Sequence, residues 1–160
     1  MFTNKDVVMD PSVTSATSLG EDGQLMWYTH PTYGMQCYRH VKLDTDVSAV
    51  TGQVIACKLG GTGTNVIGVL APVASTKVQC LGVVQNTVAA GYYCWALVWG
   101  AGLGLSNGET AGDAEINVAG APGYISDAAA SAADPGEYIG RCFATTANAT
   151  QFTTGSAVTY

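Results

Sequence analysis

Cys37-Tyr38-Arg39-His40 brings a thiolate donor and an imidazole within one tetrapeptide, half of a zinc site that Cys57 or Cys80 could complete. On a strand, however, positions three apart face opposite sides, so the pair reads as a buried thiol beside an exposed or hydrogen-bonded histidine. His30 and His40 sit in no recognised nucleophile pattern. A Ser-His-Asp triad needs only to meet in space, but its residue types occur by chance in most chains of this length. Asp44-Thr45-Asp46 could hold a divalent cation, yet Val47-Ser48-Ala49 supplies neither a third acidic ligand nor the Gly of a calcium loop. Asp113 and Glu115 share one strand face and so cannot flank a glycoside from both sides. Gly60-Gly61-Thr62-Gly63-Thr64 and Gly100-Ala101-Gly102-Leu103-Gly104 lack both G-x-G-x-x-G spacing and a following helix, and read as loops between strands. No reaction, metal or cofactor is nominated, and the expectation is a protein that is not an enzyme. Trp27-Tyr28 and the aromatic positions of 93–99 could bind a sugar or a partner, although large aromatics usually serve a core.

The elements that must position these residues are strands. From Leu25 onward, short apolar runs alternate with Gly, Pro, Asn and Asp clusters, giving expected strands at 25–28, 37–43, 53–58, 65–70, 79–88, 91–99, 113–118, 123–126, 137–145 and 151–159. Only Ser126 to Ala133 could form a helix, and Asp134-Pro135-Gly136 would stop it. In Gly91 to Gly100, the residues Tyr93, Trp95, Leu97 and Trp99 fall on one face at period two, with Tyr92, Cys94, Ala96 and Val98 opposite. A strand apolar on both sides belongs in the middle of a sandwich or barrel, or has one face covered by a neighbouring subunit. Tyr93, Trp95 and Trp99 are therefore expected in the core or at a subunit interface. The run Cys80 to Gln85 should form a hairpin with it, and Gly91 is available for a positive φ angle.

The chain fits one domain of 160 residues, read as an extended N-terminal arm at 1–24 and a β domain at 25–160. The arm has only scattered apolar positions and could bury little without a partner. Charged residues make up 11% of the chain, against roughly 25% in soluble domains, so much of the surface must be small and neutral. A formal charge of -6 with no basic cluster argues against nucleic acid. Met1 to Asp6 lacks the pattern of a secretory signal, and no run reaches the roughly 18 apolar residues of a membrane helix, so no membrane partner is expected. Cys37, Cys57, Cys80, Cys94 and Cys142, odd in number and without a C-x-x-C pair, read as buried free thiols.

The run Gly82-Val83-Val84-Gln85, then Ala90-Gly91-Tyr92-Tyr93 and Trp95-Ala96-Leu97-Val98-Trp99-Gly100, resembles small capsid decoration (cement) proteins of tailed bacteriophages. Ala111-Gly112-Asp113-Ala114, Tyr138-Ile139-Gly140-Arg141-Cys142, and Tyr38 to Lys42 with Gly52-Gln53-Val54 fit the same likeness, which spans about 35 to 145. The ten short strands predict an all-β fold, a single compact β-barrel or β-sandwich; the resemblance implies a β-tulip-like form of it, made in the host cytoplasm. It would sit on the outer capsid surface of the virion, bridge subunits of the major capsid protein, and self-associate as a homotrimer. No catalytic residues come with it. The arm, through Phe2, Val7, Val8 and Met9, is a candidate for adding a strand to a capsid sheet edge. The competing reading is a receptor- or glycan-binding module of a phage head or tail fibre.

Overall fold

β-Branched and aromatic residues fit a pleated, half-buried surface, and Gly, Pro, Asn and Asp break such runs into turns. In the computed structural model, which describes residues 10–58, 66–71, 79–105, 115–118, 122–126, 138–142 and 152–157, each expected run contains a strand. These are β1 (Leu25–His30), β2 (Gly34–Leu43), β3 (Val54–Cys57), β4 (Ile67–Leu70), β5 (Cys80–Val84), β6 (Tyr93–Gly104), β7 (Glu115–Val118), β8 (Ile125–Ser126), β9 (Tyr138–Cys142) and β10 (Phe152–Ala157). The fold is all-β, and no helix occurs among the described residues. The Ala-rich stretch beyond Ser126 lies outside them.

Hydrogen bonding among β2 to β6 runs nearly full circle. β2 pairs with β4 in parallel, β4 with β3, β3 with β5, β5 with β6 and β6 back to β2, these four antiparallel. β1 forms a hairpin with β2 and occupies the edge of the sheet, while the far end of β6 continues into β10, β9, β7 and β8. Every ring strand sends side chains into one cluster: Val41 and Leu43, Ile55, Leu70, Leu81 and Val84, Cys94 and Ala96. That meeting defines the ring's inner face.

Two outer faces are also buried. Ile125 closes over Val54, Ala56, Cys80 and Val83, while Leu19 and Val13 close over Met26, Tyr38, Trp95 and Leu97. Residues 10–24 thus run along the outside of β2 and β6. They are fixed by the reciprocal Ser15–Tyr93 backbone pair (3.1 and 2.8 Å) and by the Gly23 N–H donating to the His40 carbonyl (3.0 Å). Phe2, Val7, Val8 and Met9 lie outside the described residues.

Within the ring, two one-residue bulges decide which side chains face where. Between β3 and β5, Ile55 faces Gly82 but Ala56 faces Cys80, so Leu81 is extra and turns inward with Val84. Gly82 makes this possible at φ +143°, where a Cβ would lie 2.7 Å from the Leu97 carbonyl oxygen. Between β2 and β6, Tyr38 faces Leu97 but Cys37 faces Trp99, so Val98 is extra. Gly100 follows at φ +107°, and a Cβ there would meet the Met35 carbonyl oxygen at 2.7 Å.

Candidate functional site

The second bulge corrects the expectation that Tyr93, Trp95, Leu97 and Trp99 share a face. Tyr93, Trp95 and Leu97 pack with Met26, Tyr28 and Tyr38, under residues 13–19. Trp99 instead contacts Trp27 edge to face, with centroids 5.5 Å apart, and Trp27 points away from Met26 and Tyr28 because strand neighbours alternate. Inserting Val98 shifts the alternation by one and carries Trp99 across the sheet.

The outcome is an exposed apolar row. Trp27, Cys37 and Trp99 are aligned across β1, β2 and β6, with Leu25 and Met35 on the same side. Trp27 is 60% exposed and Trp99 42%, and Leu25 and Met35 are exposed as well, while Cys37, on the strand between them, is buried. Burial pushes the Cys37 thiol pKa up, with Arg39 opposing it, so the thiol stays protonated and behaves as an apolar floor. Together these side chains form an exposed apolar patch at the sheet edge.

On the other face, His40 is fully buried and stacks on Tyr93 (5.4 Å, 7° between planes), beside Trp95, which is 1% exposed. Its Nε2 accepts from the Leu19 N–H (3.3 Å). The proton of the neutral ring therefore sits on Nδ1, which donates to the Glu21 carbonyl (3.0 Å). His40 and Cys37 lie on opposite faces, as the strand spacing predicts, and the histidine fastens the 19–21 turn to the barrel.

At the turn of the β1–β2 hairpin the Trp95 face opens into a cleft of about 340 Å³ lined by Tyr28, His30, Tyr33, Gln36, Asp10 and Gln85 among others. Its rings form a row: Tyr38 to Tyr28 at 6.4 Å, Tyr28 to His30 at 6.4 Å, and His30 to Tyr33 at 4.6 Å. His30 Nδ1 accepts the Thr32 and Tyr33 N–H groups, which places the proton of the neutral ring on Nε2. The floor is braced. Tyr38 donates to Gln36 Oε1, the Gln36 amide donates to the Ala101 carbonyl, and the Gln85 amide bonds both backbone groups of Leu103. Asn86 donates to the Pro11 carbonyl, and the Asp10 carboxylate accepts from the Ser12 N–H and hydroxyl, which hold its pKa below the ordinary value.

The remaining candidates do not converge. Asp44 pairs with Lys58 and accepts from the Thr45 N–H, and no cluster of metal-ligating groups occurs among the described residues. Gly100 to Gly104, expected as a loop, continues β6 and pairs with β10. Asp113 and Gly60 to Thr64 lie outside the described residues. Cys37, Cys57, Cys80 and Cys94 are free thiols, with Cys57 the half-exposed member. Sequence reasoning singled out Trp27, Tyr28, Tyr93, Trp95 and Trp99 but missed Leu25, Met35, Tyr33 and Asp10. The signal available for Tyr33 was its place in a Pro31-Thr32-Tyr33-Gly34 turn between aromatic-rich strands.

No protein-family model, curated protein or solved structure matches the chain.

Proposed function

We propose that this protein is a non-enzymatic structural component of a phage virion that binds the outer capsid surface and bridges major capsid protein subunits. The observation that carries the reading is the exposed row Leu25, Trp27, Met35 and Trp99 in a chain so poor in charge. Buried aromatic anchors dominate the energy of protein contacts, and a row of this kind on an edge hairpin gives a contact with few charges to desolvate. We assign that row to the contact between copies in a homotrimer, and Phe2, Val7, Val8 and Met9 to the capsid. Weak contacts suffice in such an arrangement, because joining several capsid-binding arms in one oligomer raises the effective concentration of each without new contacts. The sequence resemblance to decoration proteins points the same way.

The test is binding of purified protein to expanded, undecorated heads, read as copies per particle. The reading expects saturation at a stoichiometry matching the shell's symmetry, and removal of residues 1–9 abolishing it. Absence of binding to any head removes the proposal and leaves the fibre module, which predicts few copies per virion.

A further inference from the structure

We propose that the cleft at the turn of the β1–β2 hairpin binds a neutral carbohydrate of one or two rings. Its volume of about 340 Å³ is at the small end of the roughly 300–1,000 Å³ spanned by small-molecule sites. A sugar has an apolar C–H face and an edge of hydroxyls, and the cleft provides for both. The row Tyr38, Tyr28, His30, Tyr33 forms one apolar wall. At the rim, the Tyr28 and Tyr33 hydroxyls, His30 Nε2 and the second Asp10 carboxylate oxygen make no hydrogen bond to any described residue, so donors and acceptors are both available. The floor amides are already committed to the β6 backbone, so the wall and base are set before a ligand arrives, which lowers the entropic cost of binding.

Charge narrows the class. Among the described residues no Lys or Arg lines the cleft, and Asp10 is ionised, so phosphorylated, sulfated or acidic sugars meet repulsion from its carboxylate. A quaternary ammonium needs ring faces turned inward from several sides. Here Tyr38, Tyr28, His30 and Tyr33 follow one another in a single row, each ring meeting the next, rather than surrounding one point. This inference is independent of the capsid role, since the cleft and the Trp27–Trp99 row lie on opposite faces.

The test is titration of the full-length ¹⁵N-labelled chain with the methyl glycosides of glucose, galactose, mannose and N-acetylglucosamine and with cellobiose, lactose and chitobiose, following amide shifts. The expected result is a saturable response from at least one sugar, confined to residues 28–38, 85–86 and 10–12, with Kd in the range of about 0.1–10 mM. Tyr33→Ala, in the turn outside the core, should raise that Kd about tenfold, a loss of about 1.4 kcal/mol. Asp10→Asn should weaken it less, and Trp27→Ala, on the opposite face, should leave it unchanged. Three results overturn the proposal: no saturable shift from any of these sugars, a Kd indifferent to Tyr33→Ala, or tighter binding of choline than of every sugar.

Discussion

Trp95 and Trp99 are four residues apart on one strand, yet one is buried under the N-terminal segment and the other stands in water beside Trp27. Their neighbourhoods differ in kind. Around Trp95, His40, Tyr93 and Leu19 are joined by stacking and hydrogen bonds, and Gly20 lies against the indole, where a Cβ would come 3.5 Å from the ring. Around Trp99 the described neighbours on its face are Trp27, Cys37, Leu25 and Met35, with Arg39 opposite Leu25 on the same side. The lesson is that one inserted residue, Val98, divides a uniform aromatic pattern into a face that stabilises the barrel and a face free to meet something else.

The largest test of that division is truncation. Trp95→Ala should lower unfolding free energy by about 3–5 kcal/mol, as for large aromatics removed from a packed core. Trp99→Ala should change it by about 1 kcal/mol or less, the scale of an exposed aromatic pair. Urea denaturation of the two variants decides the point, and equal losses would break the comparison. Conversely, the double variant Trp27→Ala/Trp99→Ala should shift sedimentation toward the monomer, while Trp95→Ala affects association only as far as it unfolds the chain.

Next in size is Gly100→Ala. It forces a Cβ against the Met35 carbonyl at a backbone angle L-residues avoid, and should cost about 1–3 kcal/mol while changing the near-ultraviolet dichroism of the Trp27–Trp99 pair. His40→Leu attacks the other face. It leaves the Leu19 N–H without its acceptor and removes one of two donors from the Glu21 carbonyl, which keeps the Gln24 N–H, a loss of about 1–3 kcal/mol. Hydrogen exchange should then rise for the amides of residues 15–24 more than for those of β1.

The last effect concerns pH. Burial pushes the Cys94 thiol up to about 12 from an ordinary value near 9. The folded state therefore disfavours the thiolate. The thiol's contribution to stability is fully present below pH 9 and is lost as pH rises toward 12. Tyr38, raised by burial in the same direction, adds to the loss. Stability should decline above pH 9, and less steeply in Cys94→Ala. At pH 8 an alkylating reagent should modify Cys57 well before Cys94.

The strands themselves were legible, because alternation and turn residues are local properties: Gly91 to Gly100 declared a strand, and Asn86 to Gly91 its connection. Three features were not. The parallel pairing of β2 with β4 that helps close the ring depends on which distant edges meet. The two bulges turn on Gly82 and Gly100, glycines that fit an ordinary strand equally well until a partner backbone approaches. Packing of residues 10–24 rests on isolated Val13 and Leu19 and on a histidine on β2, beyond the whole of β1, with no periodic run to announce it. The cleft was only half legible, since Tyr28 was visible as an aromatic but Asp10, Tyr33 and Gln85 come together through that packing alone.

The closed ring has a consequence for how the chain is made. Residue 38 cannot meet its partner at residue 97 until β6 has left the ribosome, and β2 must meanwhile stay unpaired on that edge. Folding that waits on such distant pairings is slow, and an exposed apolar strand edge invites association in the interval. The β1–β2 hairpin, being local, can form early, so Leu25, Trp27 and Met35 enter the cell already displayed. A chain that assembles with its own kind would then face its greatest risk of premature clustering during synthesis, before the barrel exists to hold that surface in place.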